Sequence, residues 1–199
     1  MAKILLIEAY LGLEHGKNSL LFYAQNQFIQ EYQQLHPTDE IIKLDLNQEE
    51  KLKTILDTNN ITSFWTQKSL DYVNLITSVD KLIISTNMIN FTVSPTLRNF
   101  LDNILIPDKT FTYDIHGKHS GLLNNQIKAQ LIMVQGDKSN AYPFANFNTW
   151  LKNVLHFMGI KQIQTLLFSG TNTRKQANLS LEEKFKLKIK EFKRQVSEF

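Results

Sequence analysis

A short apolar strand that runs into a polar loop and then a helix, between Lys81 and Asp102, constrains the fold more than any other segment. Its uninterrupted apolar run, Leu82 to Ile84, is typical of a parallel strand covered on both faces. Pro95 suits the first turn of a helix, where its missing N–H is not needed, and Ser94 suits the N-cap. The segment therefore predicts a strand, a loop and a helix, with the loop at the carboxyl edge of a parallel sheet, where α/β proteins bind ligands.

The loop of this unit mixes polar and large apolar side chains. Asn87 and Asn90 alternate with Met88, Ile89 and Phe91. A flat ring with a hydrogen-bonding edge would fit such a loop. The alternative is that Met88 and Phe91 fill a space beneath the loop and bind nothing, and the segment alone favours neither interpretation.

Strand and helix patterns alternate along the rest of the chain, which is typical of an α/β sheet with right-handed crossovers. The five predicted strands are 3–8, 40–45, 81–85, 126–134 and 163–168. Helices are predicted over 19–36, 47–60, 67–79, 95–105, 147–158 and the carboxyl terminus, with a long connection at 107–123. The pattern predicts one α/β domain over residues 1–199, a three-layer flavodoxin-like fold with a five-stranded parallel sheet.

Length and composition limit the class of protein. A chain of 199 residues can bury one sizeable core but not two ordinary domains. There is no cysteine, which excludes disulfides, thiolate metal sites and a cysteine nucleophile and is compatible with a reducing compartment. The first apolar run, Ile4 to Ile7, is too short for a secretory signal or a membrane span. We therefore expect a cytoplasmic protein with no membrane partner.

The carboxyl terminus is basic. The net charge is +3, and six Lys and Arg residues fall within 184–194, which brings nucleic-acid binding into consideration. The same segment carries apolar residues at helical spacing, with acids between the bases: Leu181, Phe185, Ile189 and Phe192. This pattern favours an amphipathic terminal helix packed on the core, and the sequence carries no nucleic-acid motif, so we expect no nucleic-acid partner.

Metal and hydrolytic chemistry find little support. The histidines include one close pair, His116 and His119, without the carboxylate-flanked spacing of a metal site, so we expect no metal. No G-x-S-x-G elbow is present, and Ser169 followed by Gly170 does not meet that pattern. A hydrolase therefore has no support beyond the fold class.

Three loops that follow predicted strands should emerge at one edge of the sheet, at 9–18, 87–91 and 135–142. The first opens a helix, whose free N–H groups attract an anion such as phosphate. Its candidate ligands are Gly16, Lys17, Asn18 and Ser19. The pattern is weak, because neither a Walker lysine nor G-x-G-x-x-G is present. In the third loop Gly136 allows a close backbone approach, and Asp137 begins a polar run.

Residues 87–102 resemble the flavin loop and following helix of the FMN-dependent NADH-azoreductases, whose loop typically reads P-M-Y-N-F and here reads N-M-I-N-F. Thr110 to Tyr113, with Gly117 and Gly121, resembles the V-T-F-R-Y and G-L segments of that family. Residues 151–160, ending F-M-G-I, resemble its L-x-F-x-G-F-I-G-I helix end. The resemblance spans essentially the whole chain and identifies it as a member of these flavodoxin-like NAD(P)H:quinone and azo oxidoreductases.

The resemblance implies a homodimeric enzyme that binds FMN, takes a hydride from NADH or NADPH, and then reduces a quinone or azo compound in the same pocket by a ping-pong mechanism. It implies no catalytic side chain, because the chemistry belongs to the flavin. The implied cofactor-binding residues are Gly16, Lys17, Asn18, Ser19, Asn87, Met88, Ile89, Asn90, Phe91, Gln135, Gly136 and Asp137. Phe111 and Tyr113 either line the substrate pocket across the dimer or pack in its interface.

The chain departs from the family pattern in its phosphate loop and flavin loops. The family commonly has serines where this chain has Ala9 and Gly16, a tyrosine at Ile89, and S-R-G-G where this chain has Val134 to Asp137. Each lost neutral hydrogen bond would weaken FMN binding by about 0.5–1.5 kcal/mol. The alternative hypothesis is therefore a flavodoxin-fold paralogue with weakened or lost FMN binding that acts as a binding or interaction protein.

Overall fold

The chain alternates strands and helices along most of its length. The computed structural model describes residues 1–12 and 18–199. The strands are β1 (Lys3–Ala9), β2 (Glu40–Asp45), β3 (Lys81–Asn87), β4 (Phe111–Tyr113), β5 (His119–Gly121), β6 (Lys128–Val134) and β7 (Gln162–Phe168). The helices are α1 (Leu20–Leu35), α2 (Gln67–Thr77), α3 (Pro95–Ile104), α4 (Phe147–Met158), α5 (Leu181–Lys186) and α6 (Ile189–Glu198).

The five long strands form one parallel sheet in the order β2-β1-β3-β6-β7. In its centre Leu5 lies beside Leu82, and Leu82 lies beside Ala129. Numbered among the five alone, this is the order 2-1-3-4-5 of a doubly wound, flavodoxin-like sheet. The predicted fold class and the five-stranded parallel sheet are confirmed.

The sheet is covered on both faces, which explains the continuous apolar runs of its central strands β1 and β3. Alternate residues of a strand face opposite layers. Leu5 and Ile7 pack into the layer that contains α2, α3 and α4, whereas Ile4 and Leu6 pack into the layer that contains α1, α5 and α6. The apolar residues at helical spacing along α1 are buried: Leu21, Ala24, Phe28 and Tyr32.

The prediction of a helix over 47–60 is wrong. Two short 3₁₀ turns, Leu46–Gln48 and Glu50–Lys53, are followed by irregular turns. Three apolar residues of this segment have helical spacing, but of these Leu52 is buried whereas Ile55 and Leu56 are exposed. The Asp57 carboxylate accepts hydrogen bonds from the N–H groups of Asn59 and Asn60. Such local side-chain bonds compete with the helical backbone pattern.

The long connection predicted at 107–123 contains an antiparallel hairpin of β4 and β5. The hairpin docks on the end of α4, where the Leu123 N–H donates to the Met158 carbonyl at 2.8 Å. The contact is so close that a Cβ on Gly121 would fall 2.3 Å from the backbone nitrogen of Gly159. Position 121 therefore requires glycine.

The predicted terminal helix is two helices, α5 and α6, which are separated by Leu187 and Lys188. Both pack on the layer that contains α1, through Phe185 and Phe192, whose ring centroids lie 4.8 Å apart. The amphipathic pattern is confirmed, although the helix is not continuous. No helix within the described residues is long and apolar enough to cross a membrane.

We expect Gly121→Ala to lower the free energy of unfolding by about 1–3 kcal/mol, because the added methyl group would overlap the backbone of Gly159. Urea denaturation followed by circular dichroism measures the change. The control is Ser120→Ala, the exposed neighbour in β5, which should change stability by less than about 0.5 kcal/mol. Equal stability of the two variants would contradict the close approach of the hairpin to α4.

Candidate functional site

Three loops meet at the carboxyl edge of the sheet, as the sequence predicts. The Asn87 side chain, at the end of β3, accepts a hydrogen bond from the Leu11 N–H at 3.0 Å and donates one to the Leu11 carbonyl at 3.3 Å. The Met88 N–H donates to the Val134 carbonyl at the end of β6, at 2.9 Å. The loops after β1, β3 and β6 are therefore joined to one another. The Asn87 amide, predicted as a cofactor ligand, holds the loop after β1 in place.

The loop after β3 contains a tight turn with unusual backbone angles. Ile89 and Thr92 exchange both backbone hydrogen bonds, at 2.9 and 3.0 Å. The two residues between them, Asn90 and Phe91, have φ of 45° and 71°. Turns of type I′ need positive φ at both central positions, which asparagine tolerates and phenylalanine does not. Strain of this kind costs about 1–3 kcal/mol and concentrates at functional sites.

The loop after β6 is fixed at its base by hydrogen bonds from two sides. The buried Gln135 side chain donates to the carbonyls of Asp137 and Lys138, at 3.0 and 2.9 Å. From the loop after β7, the Asn172 N–H donates to the Gly136 carbonyl at 2.8 Å. The backbone from Gln135 to Lys138 is therefore rigidly positioned.

A cavity of about 250 Å³ lies between these two loops. Its lining residues are Met88, Asn90, Phe91, Gln135, Gly136, Asp137, Lys138, Asn140, Ala141, Tyr142 and Ala145. The structure thus brings six of the predicted cofactor-binding residues around one space, those from the loops after β3 and β6 other than Asn87 and Ile89. Apolar side chains beside a few polar groups are typical of small-molecule pockets.

Residues that line the cavity carry backbone hydrogen-bond donors without a partner in the described part of the chain. The backbone N–H groups of Asn90, Phe91, Gly136 and Asp137 have no acceptor among the residues that the structure describes. The Asp137 carboxylate is exposed and accepts a hydrogen bond from the Lys138 N–H at 2.7 Å, which holds one of its oxygens on its own loop. A ligand with acceptor atoms along one edge matches this donor set.

The predicted anion site lies at the start of α1. Gly16 and Lys17 are outside the described residues. Asn18 is exposed, and Ser19 is the N-cap of α1, where its hydroxyl oxygen accepts a hydrogen bond from the Phe22 N–H at 3.1 Å. The first turn of α1 carries no acidic residue, so the positive end of the helix dipole is not neutralised there. Phosphate binding at this helix start stays a prediction.

Phe111 and Tyr113 lie on β4 and are not among the residues that line the cavity of this chain. The Phe111 ring packs on Phe157 with centroids 4.9 Å apart, and Phe157 in turn stacks on His119 at 3.9 Å. Tyr113 is 56% exposed. A role for this pair in a pocket shared with a partner subunit stays a prediction.

Sequence reasoning missed two aromatic side chains: Tyr142, which lines the cavity, and Phe144, which packs beside it. Their rings pack edge-on against Phe91, with centroids 5.3 and 5.0 Å away. The available signal was the pair of aromatic residues on either side of Pro143, in a loop that is otherwise polar. Connecting loops are usually hydrophilic, so aromatic residues there deserve a functional explanation.

Comparison with known proteins relates this geometry to a family. The profile of a family described as having a flavodoxin-like fold matches residues 2–190. A protein of Malacoplasma penetrans named FMN-dependent NADH:quinone oxidoreductase is 34% identical over 203 residues, which cover 96% of this chain and 94% of that protein. The chain belongs to this family. The family resemblance found in the sequence is thereby confirmed.

Further relatives support the same assignment. A protein of the same name from Mycoplasma mycoides is 32% identical over 194 residues, 96% of each chain. The crystal structure of an FMN-dependent NADH-azoreductase from Bacillus anthracis in complex with FMN superposes with a TM-score of 0.81, over 100% of this chain and 99% of that one. Its sequence identity is 21%, so this likeness shows the shared fold.

We expect Asn87→Ala to loosen the loop after β1, because the Leu11 backbone loses both of its hydrogen bonds to that side chain. Hydrogen exchange at the Leu11 amide should quicken by about tenfold, since a neutral hydrogen bond contributes about 0.5–1.5 kcal/mol. The control is Asn74→Ala, an exposed asparagine on α2, which should leave Leu11 exchange unchanged. Unaltered exchange in the Asn87 variant would contradict the proposed positioning role.

Proposed function

We propose that this chain is an FMN-dependent NAD(P)H oxidoreductase that reduces quinones, azo compounds or both. The observation that carries the proposal is the cavity between the loops after β3 and β6. It gathers Met88, Asn90, Phe91 and Gln135 to Asp137, the residues that the family resemblance assigns to the flavin, around one space. The names of the relatives in Malacoplasma penetrans and Mycoplasma mycoides support the same chemistry.

The residues present fit the flavin ring. The backbone donors at Asn90, Phe91, Gly136 and Asp137 would pair with its ring oxygens and nitrogens, while Met88 provides apolar contact. When bound, FMN supplies the redox chemistry, taking a hydride from the reduced nicotinamide and passing two electrons to the acceptor. The protein's part is to bind, orient and leave one face of the pocket open to a flat molecule.

The loop after β6, which departs from the family pattern, contributes backbone N–H groups rather than side chains to this site. A Cβ at Gly136 would fall 2.8 Å from the side-chain amide nitrogen of Asn172, so any larger residue there would require that side chain to move. Asp137 would offer its N–H to the ring, while its carboxylate stays bonded to the Lys138 N–H. This hydrogen bond keeps the negative charge of the Asp137 carboxylate on the loop.

The start of α1 would hold the phosphate of FMN, through Gly16, Lys17, Asn18 and Ser19. Anion binding at a helix start rests chiefly on backbone N–H groups and the helix dipole. The uncharged first turn of α1 leaves this attraction intact. On this proposal, the family's serines at positions 9 and 16 are not essential for FMN binding.

A homodimer completes the proposed pocket. Three large apolar side chains on or beside the hairpin of β4 and β5 are exposed: Tyr113 at 56%, Ile115 at 95% and Leu122 at 45%. Exposed apolar groups that cluster in this way are typical of protein interfaces. In the dimer, Phe111 and Tyr113 would line the substrate space of the partner subunit. We place the enzyme in the cytoplasm, with which a chain free of cysteine is compatible.

Titration of the purified apoprotein with FMN, followed by flavin fluorescence, tests the function. We expect saturable binding in the micromolar range or tighter, and anaerobic NADH should then bleach the visible absorbance of the flavin. Gly136→Val should weaken FMN binding by about tenfold or more, because the larger side chain overlaps Asn172 and displaces the loop backbone that lines the cavity. Ser139→Val, an exposed position of the same loop outside the lining, is the control. Absence of saturable binding to the wild-type chain would favour the non-enzymatic paralogue instead.

Light scattering after size-exclusion chromatography tests the dimer. The light-scattering mass of the wild-type protein should be twice the 23.1 kDa of one chain. Ile115→Asp should shift it toward the monomer, because a charge replaces an apolar side chain within the proposed interface. The matched control is Ile61→Asp, at an exposed isoleucine distant in sequence from the hairpin, which should remain dimeric. A monomeric wild-type chain would contradict the proposed assembly.

A further inference from the structure

Three aromatic rings from two loops meet beside the cavity, and two of them line it. Phe91 comes from the tight turn after β3, and Tyr142 and Phe144 come from the loop after β6. Each ring contacts the other two, with centroids 5.3 Å apart for Phe91 and Tyr142, 5.0 Å for Phe91 and Phe144, and 5.7 Å for Tyr142 and Phe144. We call these residues the aromatic triad.

The triad is not part of the hydrophobic core. Phe91 is 45% exposed, Tyr142 41% and Phe144 69%, and none of them belongs to the two buried clusters that cover the sheet. Exposed rings gain little from contact with one another compared with rings in a core, because much of their apolar area still meets water. Their stability contribution alone does not explain the cluster.

Phe91 is also held in an unfavourable backbone conformation. Its φ of 71° is one that phenylalanine rarely adopts, and glycine or asparagine would suit the position better. The turn therefore places a ring at the cavity at some cost in conformational energy. A residue that only had to close the turn would not need a side chain.

The tip of the loop after β6 is attached differently from its base. Gln135 and the loop after β7 fix the base by hydrogen bonds. The tip carries short-range bonds such as Ala145 N–H to the Tyr142 carbonyl at 3.0 Å and the Asn146 amide to the Pro143 carbonyl at 2.7 Å. The tip contacts the loop after β3 through the rings of Tyr142 and Phe144, which pack on Phe91. Rings can slide on one another where hydrogen bonds cannot.

We propose that the aromatic triad is a stacking surface that selects planar, fused-ring acceptors for the reductase. Phe91 and Tyr142 both line the cavity that would hold the flavin, and both stay partly exposed, at 45% and 41%, so a flat acceptor that approaches the flavin can meet their rings. The triad belongs to the same chain as the cavity. This inference rests on the proposed function and names the substrate class of that same site.

Ring area explains the expected preference. A fused two-ring quinone such as menadione covers more of the triad than a single-ring quinone such as duroquinone, and stacking on aromatic side chains grows with the area in contact. An aromatic pair contributes enough to change affinity by about twofold to tenfold. The wild-type enzyme should therefore favour menadione over duroquinone.

The test compares Tyr142→Leu and Phe144→Leu with the conservative variant Tyr142→Phe. Steady-state kinetics give kcat/KM for menadione and for duroquinone. Isothermal titration calorimetry gives the dissociation constant of menadione for the FMN-loaded protein without NADH, so that binding is measured apart from turnover. Both leucine variants should lower the menadione to duroquinone ratio by about threefold to tenfold and weaken menadione binding to a similar extent. Tyr142→Phe should keep the wild-type ratio.

Two controls separate the possible outcomes. Trp65→Leu removes an aromatic side chain of similar exposure, 39%, outside the cavity lining, and should leave the ratio unchanged. Thermal unfolding checks that each variant is folded. An active wild-type enzyme whose acceptor ratio and menadione affinity survive both leucine substitutions would overturn this inference alone. A wild-type chain that binds no FMN would overturn the proposed function and, with it, this inference.

Discussion

The burial of a parallel sheet on both faces determines where this molecule can have a site. Within β1 and β3, the runs from Ile4 to Ile7 and from Leu82 to Ile84 are almost completely buried, so the strand interiors cannot carry exposed polar groups. Buried backbone must be paired within the sheet. Unpaired donors and functional side chains are therefore confined to the strand ends, where Asn87 and Gln135 begin the loops of the cavity. The topology of the sheet, more than any single residue, therefore determines where the cavity lies.

Most of the fold was predictable because burial leaves a periodic pattern in the sequence. The five strands and helices α1, α3 and α4 were found for that reason. The error at 47–60 arose because Leu52, Ile55 and Leu56 have helical spacing, whereas the local hydrogen bonds of Asp57 favour turns. The hairpin of β4 and β5 was missed because three-residue strands are too short to show a period of two.

The candidate site was predictable only in part. Position at a strand end and resemblance to the family together indicated the cavity residues Met88, Asn90 and Phe91 and those from Gln135 to Asp137. Neither source could show that the Asn87 amide is engaged by Leu11, because that contact joins loops 76 positions apart. Nor could they show the contact of Phe91 with Tyr142 and Phe144, since ring packing between two loops leaves no periodic signal. Tertiary contacts between irregular segments are what a single sequence does not display.

Hydrogen bonds and aromatic contacts have different roles around the cavity. Hydrogen bonds are directional and fix atoms to within a few tenths of an ångström, and here they position the backbone of Gln135 to Lys138. Aromatic contacts tolerate displacement, and they join Phe91 to the tip that carries Tyr142 and Phe144. A cofactor that stays bound through every turnover requires the first kind of wall, because its ring must keep one geometry. Acceptors that differ in shape require the second kind. A site with a rigid base and an aromatic rim can therefore hold one ring tightly and still accept a range of flat molecules above it.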